Sequence, residues 1–556
     1  MKKSIFAALC IGCGALLFNS CGNNASSSVN GVLNAIPAEA DFVGVLDVKA
    51  LMASAEVVVN GSEFVLPKYI ENELTSADLD DIESMQEAAV EFGVDLSALG
   101  IFGVFDAADD DDHVFVVAKI LDDKAFGRTI LDAEDETSEI INKITYYYAE
   151  SYYDRIYLEA VKYDGYAYVL TDGRYFDDID QAVDVVEPLI KSKKSYADTK
   201  VGSVITDGNL GGFAVSVPSK VVRELRQEGV PGSIANALRD TYIAGNMNLD
   251  GVTMTSSIMA YNADGSPMDL NEVLGEEVQG VKLSSTIDSG LLKYLPQNSV
   301  AAYGMNIEGV EWHDALDWYA DQVDMSRKDR GAIPMVASYL EKLGGNIVVG
   351  FGFDGGLDEM AKANSNMQVE PFDYFSVGVV VETQKGGAND LMEQLVGLAE
   401  MADVSFDEIK DGIMIELPDM GCVYAYAVED DVIVISTEEK VKARSNNLSR
   451  VGFGDVVVGS VVAIDKDLQV LKDLGIGFGI EGNGGYSASP LALTGRVELT
   501  GVSGKALKHI LQATINVMND MADIVEAFED EVYSESIIEE YEDIEEFACG
   551  DDAWDF

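Results

Sequence analysis

Ala160-Val161-Lys162-Tyr163-Asp164-Gly165-Tyr166-Ala167-Tyr168-Val169-Leu170-Thr171-Asp172 sets two apolar-rich runs on either side of an Asp-Gly pair. Asp-Gly accepts the positive φ angles of a two-residue hairpin turn, so the stretch predicts two antiparallel strands. A second stretch on the same plan lies far downstream: Ala427-Val428-Glu429-Asp430-Asp431-Val432-Ile433-Val434-Ile435-Ser436-Thr437-Glu438.

Working outward from these hairpins, the preceding segments also correspond. A helix-like stretch stands before each, around Asp123 to Ile144 and Gly387 to Met401. Before that, Val114 to Leu121 matches Ser376 to Val381, and Ile101-Phe102-Gly103-Val104-Phe105-Asp106 matches Val348-Val349-Gly350-Phe351-Gly352-Phe353-Asp354. Earlier still, Leu33 to Val48 matches Leu292 to Ile307, each with a proline (Pro37, Pro296) ahead of an alternating strand, where a missing N–H does little harm. Downstream, Gly212 to Val222 resembles Val461 to Leu471, and Ala244 to Thr253 resembles Gly495 to Ser503. Segments repeating in one order point to an internal duplication, and a spacing of roughly 250 residues is too long for a solenoid repeat. Hairpins and meanders with helices between them predict an α+β fold: two tandem homologous domains with mostly antiparallel sheets and interspersed helices, plus a C-terminal helix and acidic tail.

The expected organisation is a signal peptide over 1–20, a flexible tether over 21–30, a first α+β repeat over 31–280, a second over 281–515, and a helix end with acidic tail over 516–556. The helix is predicted from apolar residues at helical spacing between Lys505 and Phe528: Leu507, Ile510, Leu511, Ile515, Met518, Met521, Ile524 and Val525. From Glu526 onward there are 14 acidic residues and no basic one, with aromatic and aliphatic side chains dotted among them. A solvated terminus is the expectation for such a segment.

The N-terminus carries an address. Lys2 and Lys3 precede an uncharged, largely apolar run from Ile5 to Phe18, then Asn19-Ser20-Cys21 and the polar Gly22-Asn23-Asn24-Ala25-Ser26-Ser27-Ser28. That is the order of a secretory signal, and the run is too short for a membrane span. A small residue before a Cys at the end of the run resembles the lipobox of bacterial lipoproteins, although Phe18 and Asn19 depart from its usual Leu and small residue. In that class the Cys thiol receives a diacylglycerol and the chain is cut just before it. Cys21 is therefore the expected lipidation site, with acyl chains of the palmitate type, and the membrane is reached through that lipid.

The chain holds 98 acidic against 37 basic residues, a formal net charge of −61. Such a charge repels nucleic acid and anionic headgroups and favours a basic protein partner. Of five cysteines, Cys10 and Cys13 leave with the signal; Cys422 lies in a strand-like run and reads as a core residue, and Cys549 lies in the tail.

Motifs for chemistry are sparse. His113, His313 and His509 stand apart from one another and from cysteines at metal-ligand spacing, and no nucleophile elbow or His-Glu-x-x-His occurs. The Asp109-Asp110-Asp111-Asp112 run offers the hard oxygen ligands Ca²⁺ takes, but it lacks the spacing and closing Glu of a calcium loop, so a solvated hairpin connection is the expectation. Gly475-Ile476-Gly477-Phe478-Gly479-Ile480-Glu481-Gly482-Asn483-Gly484-Gly485 lacks the strand–loop–helix setting of a dinucleotide loop and reads as a glycine-rich strand or loop. No catalytic residue and no cofactor is assigned. The dense tyrosines between 146 and 168 read as sheet packing.

Ile-Pro-Ala-Glu-Ala-Asp-Phe-Val-Gly-Val-Leu-Asp-Val-Lys-Ala-Leu at 36–51, soon after a lipoprotein signal, resembles an uncharacterised family of Bacteroidota lipoproteins, domain of unknown function 4836. The resemblance implies export, lipid anchoring and two α+β halves, and it brings no activity and no catalytic residues. Surface-displayed lipoproteins of that phylum often carry acidic residues just after the Cys. Gly22 to Ser26 has none, which favours the periplasmic face of the outer membrane. The expected function is a non-catalytic binding or scaffolding module of the envelope, its partner a basic protein or a glycan. The alternatives are a glycan or peptide hydrolase using carboxylates in a cleft between the repeats, and an envelope protein that binds calcium weakly at Asp109 to Asp112.

Overall fold

The computed structural model describes residues 27–517, apart from 73–82, 106–111, 132–135, 151–154, 275–279, 356–373, 402–403, 418–420, 440–442 and some single positions. Within them, twenty strands join into one sheet, and every pairing in it is antiparallel.

Ten strands come from the first half of the chain: β1 Phe42–Leu46, β2 Val94–Phe105, β3 Asp112–Ile120, β4 Glu136–Ile141, β5 Ile144–Glu150, β6 Ile156–Tyr163, β7 Tyr166–Phe176, β8 Gly211–Ser216, β9 Tyr242–Asp250 and β10 Thr253–Tyr261. Ten come from the second: β11 Ser299–Asn306, β12 Leu343–Phe353, β13 Phe375–Thr383, β14 Asp407–Ile409, β15 Gly412–Leu417, β16 Gly421–Glu429, β17 Val432–Ser436, β18 Val458–Ile464, β19 Gly479–Ala488 and β20 Leu491–Thr500. The spatial order of the first set is 4-5-6-7-3-2-1-8-9-10, and that of the second is 14-15-16-17-13-12-11-18-19-20, the same order strand for strand. A separate small hairpin, Val58–Asn60 with Glu63–Val65, lies between β1 and β2. The α+β class and the mostly antiparallel sheet are as the sequence predicts.

The halves meet edge to edge. β10 pairs with its own counterpart β20, Met254 opposite Val497 and Met259 opposite Ala492. Like against like in antiparallel register is the geometry of a two-fold interface, here within one chain. Helix 506–517, whose Leu507, Ile510 and Ala513 join a core with Met247 and Leu249 of the first half and Phe478 and Leu499 of the second, straps this seam.

Each half docks a helical turn on one sheet face over a glycine. α1 (Ser27–Ala35) buries Val29, Val32 and Leu33 against a core holding Phe102, Phe115 and Tyr168, and the Tyr168 hydroxyl donates to the Ala35 carbonyl at 2.9 Å. Gly100 makes this possible, since a Cβ there would stand 2.4 Å from Val32 Cγ1. In the second half the 3₁₀ turn Ser289–Tyr294 and Leu295 play that part, and a Cβ on Gly350 would stand 2.6 Å from Leu295 Cδ1.

Several expectations are corrected. The tether predicted to reach residue 30 becomes helix from Ser27, because Val29 has a core to enter. The helix predicted over Asp123 to Ile144 ends at Ile130; Glu136–Ile141 is the edge strand β4, turned into β5 by Asn142 and Lys143 at φ 50° and 70°. Asn at a positive-φ position was the local signal for that turn. The counterpart of Ala244 to Thr253 is β19 and its turn, not Gly495 to Ser503, which lies one strand further on. The β6–β7 turn has its predicted Asp164 and Gly165 at φ 49° and 81°. In the second half, a bulge between Ala427 and Glu429 precedes the Asp430-Asp431 turn.

Candidate functional site

The opposite sheet face is where the two halves part company. In the first half it is covered toward the Leu46 end of β1: α2 (Val48–Ser54), capped by buried Asp47 accepting from Ala50 N at 2.8 Å, joins Leu46, Phe92, Leu99, Val116 and Phe126 in one core. In the second half the helix Ala388–Met401 covers Ile413, Ala425 and Ile433 at one side, and helix 506–517 covers Leu499 at the seam. Between them lies a face built in register rows. Tyr303 stands opposite Val349, and Val349 opposite Val379. Ala301 stands opposite Phe351, and Phe351 opposite Val377. Val458 faces Met305 on one side and Tyr486 on the other. Phe353 and Phe375 end the rows as a tilted ring pair 5.3 Å apart.

Their burial shows the consequence. Tyr303, Phe351, Phe375 and Tyr486 are 44%, 50%, 45% and 52% exposed, whereas Ala302, Val348 and Val380, which point the other way from the same strands, are buried. Tyr303 occupies the position of Gly44, and Phe351, opposite Ala301, occupies that of Gly103, opposite Phe42. The second half has thus placed rings where the first has no side chain. Contiguous exposed apolar surface of this kind marks interaction sites, and flat aromatic faces supply contact area at little entropic cost. The alternation Val349-Gly350-Phe351-Gly352-Phe353, small residues on one face and rings on the other, was the sequence signal for this surface.

An open pocket of about 460 Å³ adjoins the Asn306 end of these rows, lined among others by Glu308, Trp312, His313, Asp314, Glu341 and Gln384. His313 pairs with Asp317 at 3.1 Å, both well exposed.

The sequence-predicted residues fall elsewhere. Cys21, Asp109, Asp110, Asp111 and Cys549 lie outside the described residues, and Asp112 opens β3 opposite Phe105. Among the described residues no group of three His, Cys, Asp or Glu is arranged to hold a metal ion. His113 is buried beside Arg174, whose Nη1 lies 2.7 Å from ring Nδ1 and 3.1 Å from Nε2. His509 Nε2 lies 3.0 Å from the Ser503 carbonyl oxygen. Cys422 lies on β16 with a free thiol and is half-buried rather than in the core, because its strand position faces the sheet margin opposite Glu416. Tyr146, Tyr147 and Tyr168 are buried packing residues, and burial raises all three hydroxyl pKa values. Gly479–Ala488 of the glycine-rich run is strand β19.

Among the described residues, the carboxylates with a displaced titration are displaced downward: Asp122 by the Ala125 and Lys124 amides, Glu187 by Asn142, Asp198 by Ser195, Asp264 by Ser266, Asp269 by Ser489 and Glu429 by Tyr294. Hydrogen bonds favour the charged form in each case. A carboxyl serving as general acid is displaced the other way. The two halves join by a continuous ladder at β10–β20. Comparison of the chain with family models, curated proteins and solved structures finds no match.

Proposed function

We propose that this chain is a lipid-anchored envelope protein that binds a basic, apolar-surfaced protein partner on the outer face of its second half. The observation that carries the proposal is the half-exposed set Tyr303, Phe351, Phe375 and Tyr486, gathered on one face of the second half's sheet. A net charge of −61 steers and selects basic partners. The lipobox at Cys21 and the resemblance to the lipoprotein family support anchoring in the outer membrane, on its periplasmic face. Only residues 22–26 separate Cys21 from α1, a reach of about 20 Å at full extension, so an anchored body works close to the bilayer.

The test is cross-linking in the native envelope with wild type, Tyr303→Asp and Phe351→Asp. A basic protein captured by the wild type and lost from both variants supports the proposal. Equal capture by all three removes the face from the reading, and capture of a glycan in place of a protein overturns the choice of partner.

A further inference from the structure

The 460 Å³ pocket at the Asn306 end of the ring face has a wall of one charge sign. The helix α3 (Trp312–Gln322) begins there, with Glu311 as its N-cap and Asp314 in its first turn, and Glu308 and Glu341 line the same hollow. Among the described residues no Lys or Arg lines it, and none of these four carboxylates forms an ion pair. His313 in the wall has its own partner, Asp317, at 3.1 Å. Four carboxylates outweigh the partial charge of about +0.5 at the start of α3. Acids without partners are common in a chain of net charge −61. These four differ in lining a hollow that also has the Trp312 indole in its wall, with Ile307 and Leu343 beside it.

Size and wall together decide what the hollow takes. A volume of about 460 Å³ lies within the roughly 300–1,000 Å³ of small-ligand pockets. Among the described residues no three His, Cys, Asp or Glu are arranged to hold a metal ion, so the carboxylates are too far apart for a bare cation. A guanidinium suits them better: it is flat, stacks on an indole, and spreads five N–H donors over several carboxylates. The wall is fastened in place. Lys282 N donates to the Gly309 carbonyl at 3.1 Å, Glu311 N to that of Gly280 at 2.6 Å, and Ile307 N to that of Gly345 at 2.7 Å. Binding therefore costs little ordering of the pocket itself.

We infer that this pocket receives an arginine side chain of the basic partner whose apolar part lies on Tyr303 and Phe351. β11 carries Tyr303 and Met305 on one face and runs on to Ile307 in the pocket wall, four residues and about 13 Å from Tyr303. The arginine stands about four residues from the apolar anchor if the partner's segment is extended, and about nine if it is helical. The inference rests on the rings being the binding face, and it names the side chain by which that face selects a basic partner.

The test is a fluorescence titration of the purified full-length chain carrying Trp318→Phe and Trp554→Phe, which leaves Trp312 as its one indole. N-acetylarginine amide is expected to change the Trp312 emission saturably, and N-acetylnorleucine amide to leave it unchanged. Glu308→Gln with Glu341→Gln should weaken the arginine probe about tenfold, roughly threefold for each charge removed. Glu224→Gln with Glu228→Gln makes the same change of charge at exposed positions of the first half and should leave the affinity within about twofold. No saturable change with the arginine probe, an equal response to the norleucine probe, or equal weakening by both pairs of substitutions overturns the arginine site. Cross-linking in the envelope separates this from the binding face. Capture lost with Phe351→Asp but kept with Glu308→Gln and Glu341→Gln removes the pocket and leaves the face. Probe binding as expected, with capture indifferent to Phe351→Asp, leaves a guanidinium site and removes the face.

Discussion

Ser256 on β10 stands directly opposite Gly495 on β20, at the seam where two ten-strand halves become one sheet. A methyl group added at Gly495 would lie 3.4 Å from Ser256 Oγ, an ordinary contact. One strand over, a Cβ on Gly485 would lie 2.1 Å from the Val458 carbonyl oxygen. Gly495→Ala is therefore expected to stay within about 0.5 kcal/mol of wild type, and Gly485→Ala to lose about 1–3 kcal/mol by overpacking against backbone. Urea midpoints of the two variants measure the difference, and it accounts for the glycines of β19 as packing rather than as a phosphate cradle.

Helix α1 belongs to the folded body. Leu33 is fully buried under it, so Leu33→Ala should remove about 2–5 kcal/mol through lost transfer and a cavity. A loss of under about 0.5 kcal/mol, as at a surface position, would return α1 to the role of a tether.

The rings of the candidate face should matter less to stability than core rings. Phe351→Asp is expected to lose about 1–2 kcal/mol, from strand propensity and the buried half of the ring, whereas Phe102→Ala, a fully buried ring, should lose about 3–5 kcal/mol. Equal losses at both positions would show that Phe351 is a core residue of the working fold.

Tyr294 donates to the Glu429 carboxylate, with Lys293 3.6 Å from the same oxygen, and Glu429 is held below the usual carboxylate range chiefly by that hydroxyl. A carboxylate whose folded pKa is lowered stabilises the fold above its unfolded value, and that contribution disappears as pH falls through the folded value. Tyr294→Phe should therefore be less stable than wild type at neutral pH, with the gap closing on acidification. Urea midpoints measured from pH 7 down to the acid range report it; a gap that widens on acidification would reverse the sign.

Cys21→Ala should leave the protein without acyl label and move it from the membrane to the soluble fraction of the envelope. Cell fractionation with metabolic palmitate labelling measures both, and a variant that remains membrane-bound and labelled excludes Cys21 as the anchor.

The chain's local patterns determined a good deal by themselves. Asp164-Gly165 dictates a hairpin because few pairs tolerate its φ angles. Repetition of segment order predicts a plan used twice, which the matching strand order of the two halves fits, and alternating Val, Ile and Tyr runs predict antiparallel strands. Where two local signals compete, sequence alone chose wrongly: residues 136–141 carry a pattern that a helix can borrow, and pairing with β5 decides for strand. Tertiary structure alone decided the joining of the halves, because the β10–β20 ladder is made of backbone groups that carry no side-chain signature. It also decided which face is covered. Tyr303 and Gly44 sit in the same strand position, and nothing local distinguishes a ring that will be buried from one left open; that depends on what the rest of the fold lays on the sheet at that point, as α2 is laid beside Leu46 and Leu99 in the first half.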